Sequence, residues 1–450
     1  MRQGSAAVAG YFEAWICYSP KEQVCSKGGM GGMFSVWGGV RRVHASGSSK
    51  CLSVLVLAAA LLLQSCGGRP QGVMSPVAGD TSGAEAVVDM LVVTSRQRSQ
   101  DPGQLFSGER SASPSVTEVS ISIPPKREAG TVQWPKKLPP DPKTDFSVVR
   151  VQPLTSRTEA LSWINQHSRN GHAMVFVHGF NNTYEDAVFR YAQIVHDSGA
   201  SVTPILFTWP SRASVFDYNY DKESTNFSRT ALEQALRALS QDKKITDITV
   251  LAHSMGTWLA MEALRQMSIR DGAISPKIQN VILASPDIDI DVFAKQWTEI
   301  EGKRPSFTVF VSQDDKALAL SRFISGDVMR LGAIDASTQP YRSDLEKAGI
   351  QIVDLTQVKT EDRLNHGKFA ESPEIVQLIG KRLVNGQTLT DSNVTLGEGI
   401  TAVVAGTAGN IGKVAGTAVS TPVSILEQKK KSKKVEDLDE TLSDAPSVLE

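Results

Sequence analysis

The sequence predicts an α/β fold, a mostly parallel sheet with helices on both faces. Three observations carry this expectation. From Ser156 onward, short apolar runs alternate with helix-length segments, the order expected when parallel strands are joined by crossover helices. The apolar runs are short and rich in Val and Ile, which suits strands covered on both sides. One serine, Ser254, stands at the corner where such a run turns at once into a helical pattern.

The elements follow in chain order. Residues 67–85 are rich in Gly, Ser, Pro and Ala and are expected to be a flexible linker. "AVVDMLVVTS" (86–95), the alternating "VTEVSISIP" (116–124) and "DFSVVRVQPL" (145–154) are expected strands, and the proline-punctuated stretch 124–143 a loop. Helix 156–168 precedes strand "HAMVFVHG" (172–179), and helix 183–198 precedes "VTPILFTWP" (202–210). Helix 226–241 leads to "ITVLAHS" (248–254), and helix 255–269 to "IQNVILAS" (278–285). A short helix at 290–298 leads to "FTVFVSQDD" (307–315). Helix 316–324 and a loop lead to "IQIVDLTQV" (350–358), and a last helix runs over 373–384. The domain so defined covers 86–385. Residues 386–450 shift to Gly, Ala, Thr and Val, then to "KKKSKK" and an acidic end, and are expected to form a low-complexity, disordered tail.

Composition narrows the function. The chain has 450 residues, with 47 Lys and Arg against 48 Asp and Glu, a net charge of −1. The basic excess of a nucleic-acid binder is missing. The cysteines are Cys17, Cys25, Cys51 and Cys66, so the chain beyond them has no thiol nucleophile, disulfide framework or cysteine-based metal site. No Gly-x4-Gly-Lys-Ser/Thr loop is present, which argues against a nucleotide-dependent enzyme.

Residues 1–66 are expected to be an N-terminal extension and an export signal. Arg41, Arg42 and Lys50 precede an apolar run from Leu52 to Leu63. That run is short for a membrane span, which needs about 20 residues, and suits a secretory signal. Leu63-Gln64-Ser65-Cys66 resembles a bacterial lipobox, with Cys66 as the lipidated N-terminus. By resemblance to Gram-negative lipoproteins, an aspartate after Cys66 would favour retention in the inner membrane; Gly67 stands there, so the periplasmic face of the outer membrane is expected.

Ser254 belongs to "LAHSMG". In an open parallel sheet, ligands gather beyond the C-terminal strand ends. A nucleophile elbow needs small residues on either side of its serine, and Ala252 and Gly256 stand there, with His253 between Ala252 and the serine. The usual pattern is Gly-x-Ser-x-Gly, so Ala252 departs by one methyl. The competing explanation is a serine that merely caps a helix. The histidines discriminate. In this architecture the members run Ser, acid, His along the chain, and of seven histidines only His366 follows Ser254. Its loop, "TEDRLNHGKF", comes after the last expected strand. For the acid, Asp287, Asp314, Asp315 and Asp354 lie at or near strand ends between the two. Oxyanion donors are expected at the Phe180 N–H, which Gly179 frees to turn inward, and at the Met255 N–H.

Together, "VFVHGFNN", "LFTWPS", "LAHSMG", "ASPDIDIDVF", "VSQDDKALALS" and "NHGKF" resemble the bacterial esterase/lipase-like α/β-hydrolases catalogued as domain of unknown function 900. The resemblance covers about 86–385. It implies an α/β-hydrolase fold, a Ser-acid-His triad and neither metal nor organic cofactor, and it names no substrate. In α/β-hydrolases the acid most often follows the penultimate strand in a Gly-x-x-Asp turn. Ser312-Gln313-Asp314-Asp315 matches with serine for glycine, which selects Asp315, with Asp287 and Asp314 as alternatives. The expected activity is hydrolysis of a small-molecule or lipid ester through an acyl-enzyme. The alternatives are a triad enzyme acting on amides or thioesters or transferring acyl groups, and a non-catalytic binding module. Trp209, Phe216, Tyr218 and Tyr220 would either wall the substrate site or pack over the sheet edge.

Overall fold

The computed structural model describes residues 71–77, 83–380 and 401–403. All of them belong to one compact unit, Arg69–Glu450. Cys66 and the whole expected export signal lie outside the described residues.

The chain opens with β1 (Ala86–Arg98), β2 (Phe106–Ile123) and β3 (Ser147–Leu154). Strand–helix alternation follows: α1 (Arg157–His167), β4 (His172–Val177), α2 (Tyr184–Ser198), β5 (Thr203–Thr208), α3 (Tyr218–Gln241), β6 (Asp247–His253), α4 (Met255–Asp271) and β7 (Ile278–Ala284). It continues through α5 (Ile290–Glu299), β8 (Ser306–Val311), α6 (Lys316–Ile324), α7 (Tyr341–Ala348), β9 (Gln351–Asp354), α8 (Lys368–Glu371), α9 (Pro373–Leu378) and β10 (Thr401–Val403). Side chains set several boundaries. Ser156 with Glu159 and Thr183 with Asp186 form capping boxes at the starts of α1 and α2, and Gly199 closes α2 in the left-handed region.

One ten-stranded sheet results, in the order β10-β9-β8-β7-β6-β4-β5-β1-β2-β3. From β9 to β1 neighbouring strands run parallel, and antiparallel pairs close both edges. The expected α/β fold is the one observed. β4 alternates as a doubly covered strand should: Ala173, Val175 and Val177 pack with α1, α3, α4 and α5, while Met174 and Phe176 pack with α2, α8 and α9. β4 has β5 on one side and β6 on the other, so the connection reverses direction there and opens a crevice at the C-terminal strand ends.

Four expectations need correction. The segment 67–85 is not a free linker throughout, since Val73 and Met74 are fully buried in the core and the Val77 N–H bonds the Val148 carbonyl. In the expected disordered tail, Thr401–Val403 pairs antiparallel with Asp354–Ile352, where a β-forming run meets the open edge of β9. The rest of 386–450 lies outside the described residues. Helix α3 begins eight residues before its expected start. Its first turns bury Asp221, Ser224 and Thr225, so no apolar period marks them. Residues 341–348, expected to be loop, form α7.

Candidate active site

Ser254 occupies a strained corner. Its φ of 52° and ψ of −126° lie where side chains other than glycine cost roughly 1–3 kcal/mol. Neighbours on several elements hold it there. Its N–H bonds the Ala284 carbonyl at the end of β7, and its carbonyl accepts from the Thr257 N–H, the Thr257 hydroxyl (2.6 Å) and the Asp287 N–H. The side chain makes no capping bond to the helix that follows, so the helix-cap explanation finds no support. Space around the corner accounts for its small neighbours. A Cβ at Gly256 would meet the His178 carbonyl oxygen at 2.2 Å. Ala252 is fully buried in the core face of β6, where its methyl fits.

His366 and Asp315 meet. His366 Nδ1 donates to Asp315 Oδ2 at 2.7 Å, and Asp315 is fully buried. The other Asp315 oxygen accepts from the Leu318 N–H, so the carboxylate also caps α6 and is fixed from both sides. The histidine loop is tied by Asp362, which accepts from the N–H groups of Leu364, His366 and Gly367. Below the His366 ring lies His253, with ring centroids 4.7 Å apart, and its Nε2–H donates to the His366 carbonyl. Burial and the neighbouring His366 keep His253 well below the usual imidazole range, hence neutral. Burial likewise pushes His366 down, but the carboxylates of Asp315, Asp287 and Asp362 together raise it above the ordinary value.

The other acids are engaged elsewhere. Asp287 pairs with buried Arg330 at 3.3 Å and accepts from Tyr218 and Ser321 hydroxyls. Asp314 is bound to buried Lys368 and to Asn365. Asp354 holds Thr356. The geometry therefore separates Asp315 from the two alternatives: neither Asp287 nor Asp314 bonds His366, and Asp354 does not either.

The loop after β4 lies directly against Ser254. A Cβ at Gly179 would sit 2.8 Å from the Ser254 Cβ and 2.9 Å from His253 Nδ1. His178 sets this loop. Its Nε2 accepts from the Trp209 N–H at 3.1 Å, so the ring proton sits on Nδ1 and donates to the Gly179 carbonyl. Burial and the charge of Arg96 keep it neutral. The Asn182 amide donates to the Gly179 and Phe180 carbonyls, fixing the turn that carries the Phe180 N–H. Met255 is the first residue of α4, so its N–H is among those without an acceptor inside the helix.

The family model described as alpha/beta hydrolase of unknown function (DUF900) matches residues 156–382, just over half of the chain. The chain belongs to this family. It is an α/β-hydrolase, in agreement with the resemblance read from the motifs. A curated relative, the uncharacterized protein alr1448 of Nostoc sp. (strain PCC 7120), is 38% identical over 61 residues, covering 14% of this chain and 16% of that protein. An esterase of Pyrobaculum calidifontis is similar in structure at 12% identity and a TM-score of 0.32, over 76% of this chain and 94% of its own.

The sequence reading missed one buried residue of this hydrolase, Arg96 at the end of β1. It donates to the Asn182 carbonyl at 2.7 Å, to the Ser211 carbonyl at 2.9 Å and to Thr208 Oγ1 at 2.8 Å, and its Nη2 reaches His178 Nε2. Burial lowers its pKa to about 10. It thus clamps the Phe180 turn to the loop after β5. The signal was present: an arginine near the end of an apolar strand needs buried acceptors. The four aromatics divide. Trp209 is buried and stacks on His178, and Tyr220 bonds Gly108 and Glu109 over the outer strands. Tyr218 sets its ring edge-on to Phe180 at 5.3 Å, beside the site. Phe216 is exposed. A concavity of about 750 Å³ between β1 and the helices α1 and α3 includes none of the residues around Ser254.

Proposed function

We propose that the protein is a serine hydrolase of esterase or lipase type, with Ser254 as nucleophile, His366 as base and Asp315 as the orienting acid. The observation that carries this is the 2.7 Å bond between His366 Nδ1 and buried Asp315, together with a serine held at positive φ on the strand–helix corner, whose preceding residue His253 bonds the His366 carbonyl. His366 Nε2 takes the Ser254 proton as Oγ bonds the ester carbonyl carbon. The tetrahedral oxyanion accepts from the Phe180 and Met255 N–H groups. The imidazolium, stabilised by Asp315, then protonates the leaving alcohol as the C–O bond breaks. Water, deprotonated by His366, attacks the acyl-enzyme and releases the acid and Ser254. His253, Asp362 and the Asp315 cap hold the ring in place, while His178, Asn182 and Arg96 hold the oxyanion turn.

We place this activity at the cell envelope, through lipidation at Cys66 and the periplasmic face of the outer membrane. Radiolabelled palmitate incorporated by the wild type and not by Cys66→Ser supports the anchor. For the chemistry, p-nitrophenyl esters of increasing acyl length are offered to the wild type and to Ser254→Ala. Turnover by the first and none by the second supports the reading. Equal turnover by both removes it.

A further inference from the structure

We propose that the rim around Ser254 and His366 is a docking surface for an anionic lipid surface. Exposed apolar side chains gather on three segments beside the site: Val215 and Phe216 before α3, Leu320, Phe323 and Ile324 on α6, and Leu364 next to the histidine loop's turn. The segments adjoin. The Tyr218 hydroxyl is 2.9 Å from Ser321 Oγ on α6, and the Lys316 N–H bonds the Leu364 carbonyl at 2.9 Å.

Helix α6 is unusual in its facing. It buries Leu318 and Ser321, yet Leu320, Phe323 and Ile324, at i, i+3 and i+4 spacing, point to solvent. That is an apolar stripe turned away from the core. Phe216 and Phe323 are 93% and 80% exposed, so they project as tips and do not line a groove. Projecting aromatics suit the boundary between headgroups and acyl chains. A protein partner would have to bring a cavity for each tip.

The charge around the patch suits an anionic surface. Asp217 is paired with Arg212, Asp327 with Arg322, Asp314 with Lys368 and Asp315 with His366. Asp362 is taken up by backbone N–H groups. Exposed Lys316 and Arg363 flank Leu364 with no carboxylate partner among the described residues, and the Lys316 ammonium rests on the Arg363 carbonyl. Glu361, also exposed, opposes them. Phosphate headgroups would pair with the two free cations while the tips enter the layer.

This surface goes beyond the proposed chemistry and is tested separately from it. Phe216→Trp and Phe323→Trp are made singly in the full chain carrying Ser254→Ala. Fluorescence is compared with the parent on vesicles of phosphatidylglycerol and phosphatidylcholine with brominated acyl chains. The added tryptophans are expected to be quenched beyond the parent signal. The quenching is expected to fall several-fold when phosphatidylglycerol is omitted or when Lys316→Ala and Arg363→Ala are added. No added quenching at either position overturns the proposal. A doubled mass in light scattering that Phe323→Asp abolishes also overturns it, in favour of a second copy of the chain on this face.

Discussion

His366 Nδ1 and Asp315 Oδ2 lie 2.7 Å apart across 51 residues of sequence, and the other Asp315 oxygen caps the helix that begins one residue later. The pair is thus built by the same turn that starts α6. Replacing Asp315 by Asn keeps the cap's shape and removes the charge. Turnover should fall by about 10⁴. The proposed base works as neutral imidazole, and His366 stands above its ordinary value of 6.5. Activity should therefore rise with pH through a midpoint above that value. In Asp315→Asn, burial is opposed by less negative charge, so the midpoint moves to lower pH. A kcat/KM profile of both proteins checks the direction.

Asp287 gives a different result. It holds buried Arg330, and removing one partner of a buried pair typically costs about 3–5 kcal/mol. Asp287→Asn should lower the thermal midpoint clearly, and any activity left at low temperature should keep most of the wild-type rate. Differential scanning calorimetry with parallel kinetics separates this stability defect from the kinetic one at Asp315.

Gly179→Ala tests the proposed oxyanion turn. The added methyl would meet Ser254 Cβ at 2.8 Å, so the turn must move away from Ser254. Loss of one donor costs about 10²–10³ in kcat, and KM should change much less. Steady-state kinetics on one soluble ester measure both.

Glu185 predicts a pH-dependent stability. Burial raises its pKa from 4.5 to about 7, and one of its oxygens has no hydrogen-bond partner. A carboxyl with a raised folded pKa holds its proton in the folded state through that window. Its contribution is thus lost as pH rises from 4.5 toward 7 and stays lost above. Glu185→Gln should raise the thermal midpoint by a few degrees at pH 8 and change little at pH 4.5. Melting curves at the two pH values decide it.

Much of this architecture was legible because burial was apolar and periodic. β4, β6 and α4 announced themselves by Val and Ile runs and by Ser254 at the corner, and His366 by being the one histidine downstream. What stayed hidden was polar burial. The first turns of α3 bury Asp221, Ser224 and Thr225, which a hydrophobic pattern cannot show. Arg96 finds its acceptors 86 to 115 residues away, at Asn182, Thr208 and Ser211, a relationship made only when β1 pairs with β5 in the folded sheet. The acid was narrowed by the resemblance to a strand-end turn. What separates Asp315 from its neighbour Asp314 is geometry: one caps α6 and meets His366, and the other turns to Lys368.

The central claim is that Ser254 is the nucleophile. The most direct measurement is peptide mass spectrometry of the full chain after reaction with a fluorophosphonate. The account predicts a single phosphonyl adduct on the peptide carrying Ser254, formed more slowly below the His366 midpoint and absent in His366→Ala. An unmodified Ser254 peptide from folded protein, or an adduct that persists undiminished in His366→Ala, would contradict it.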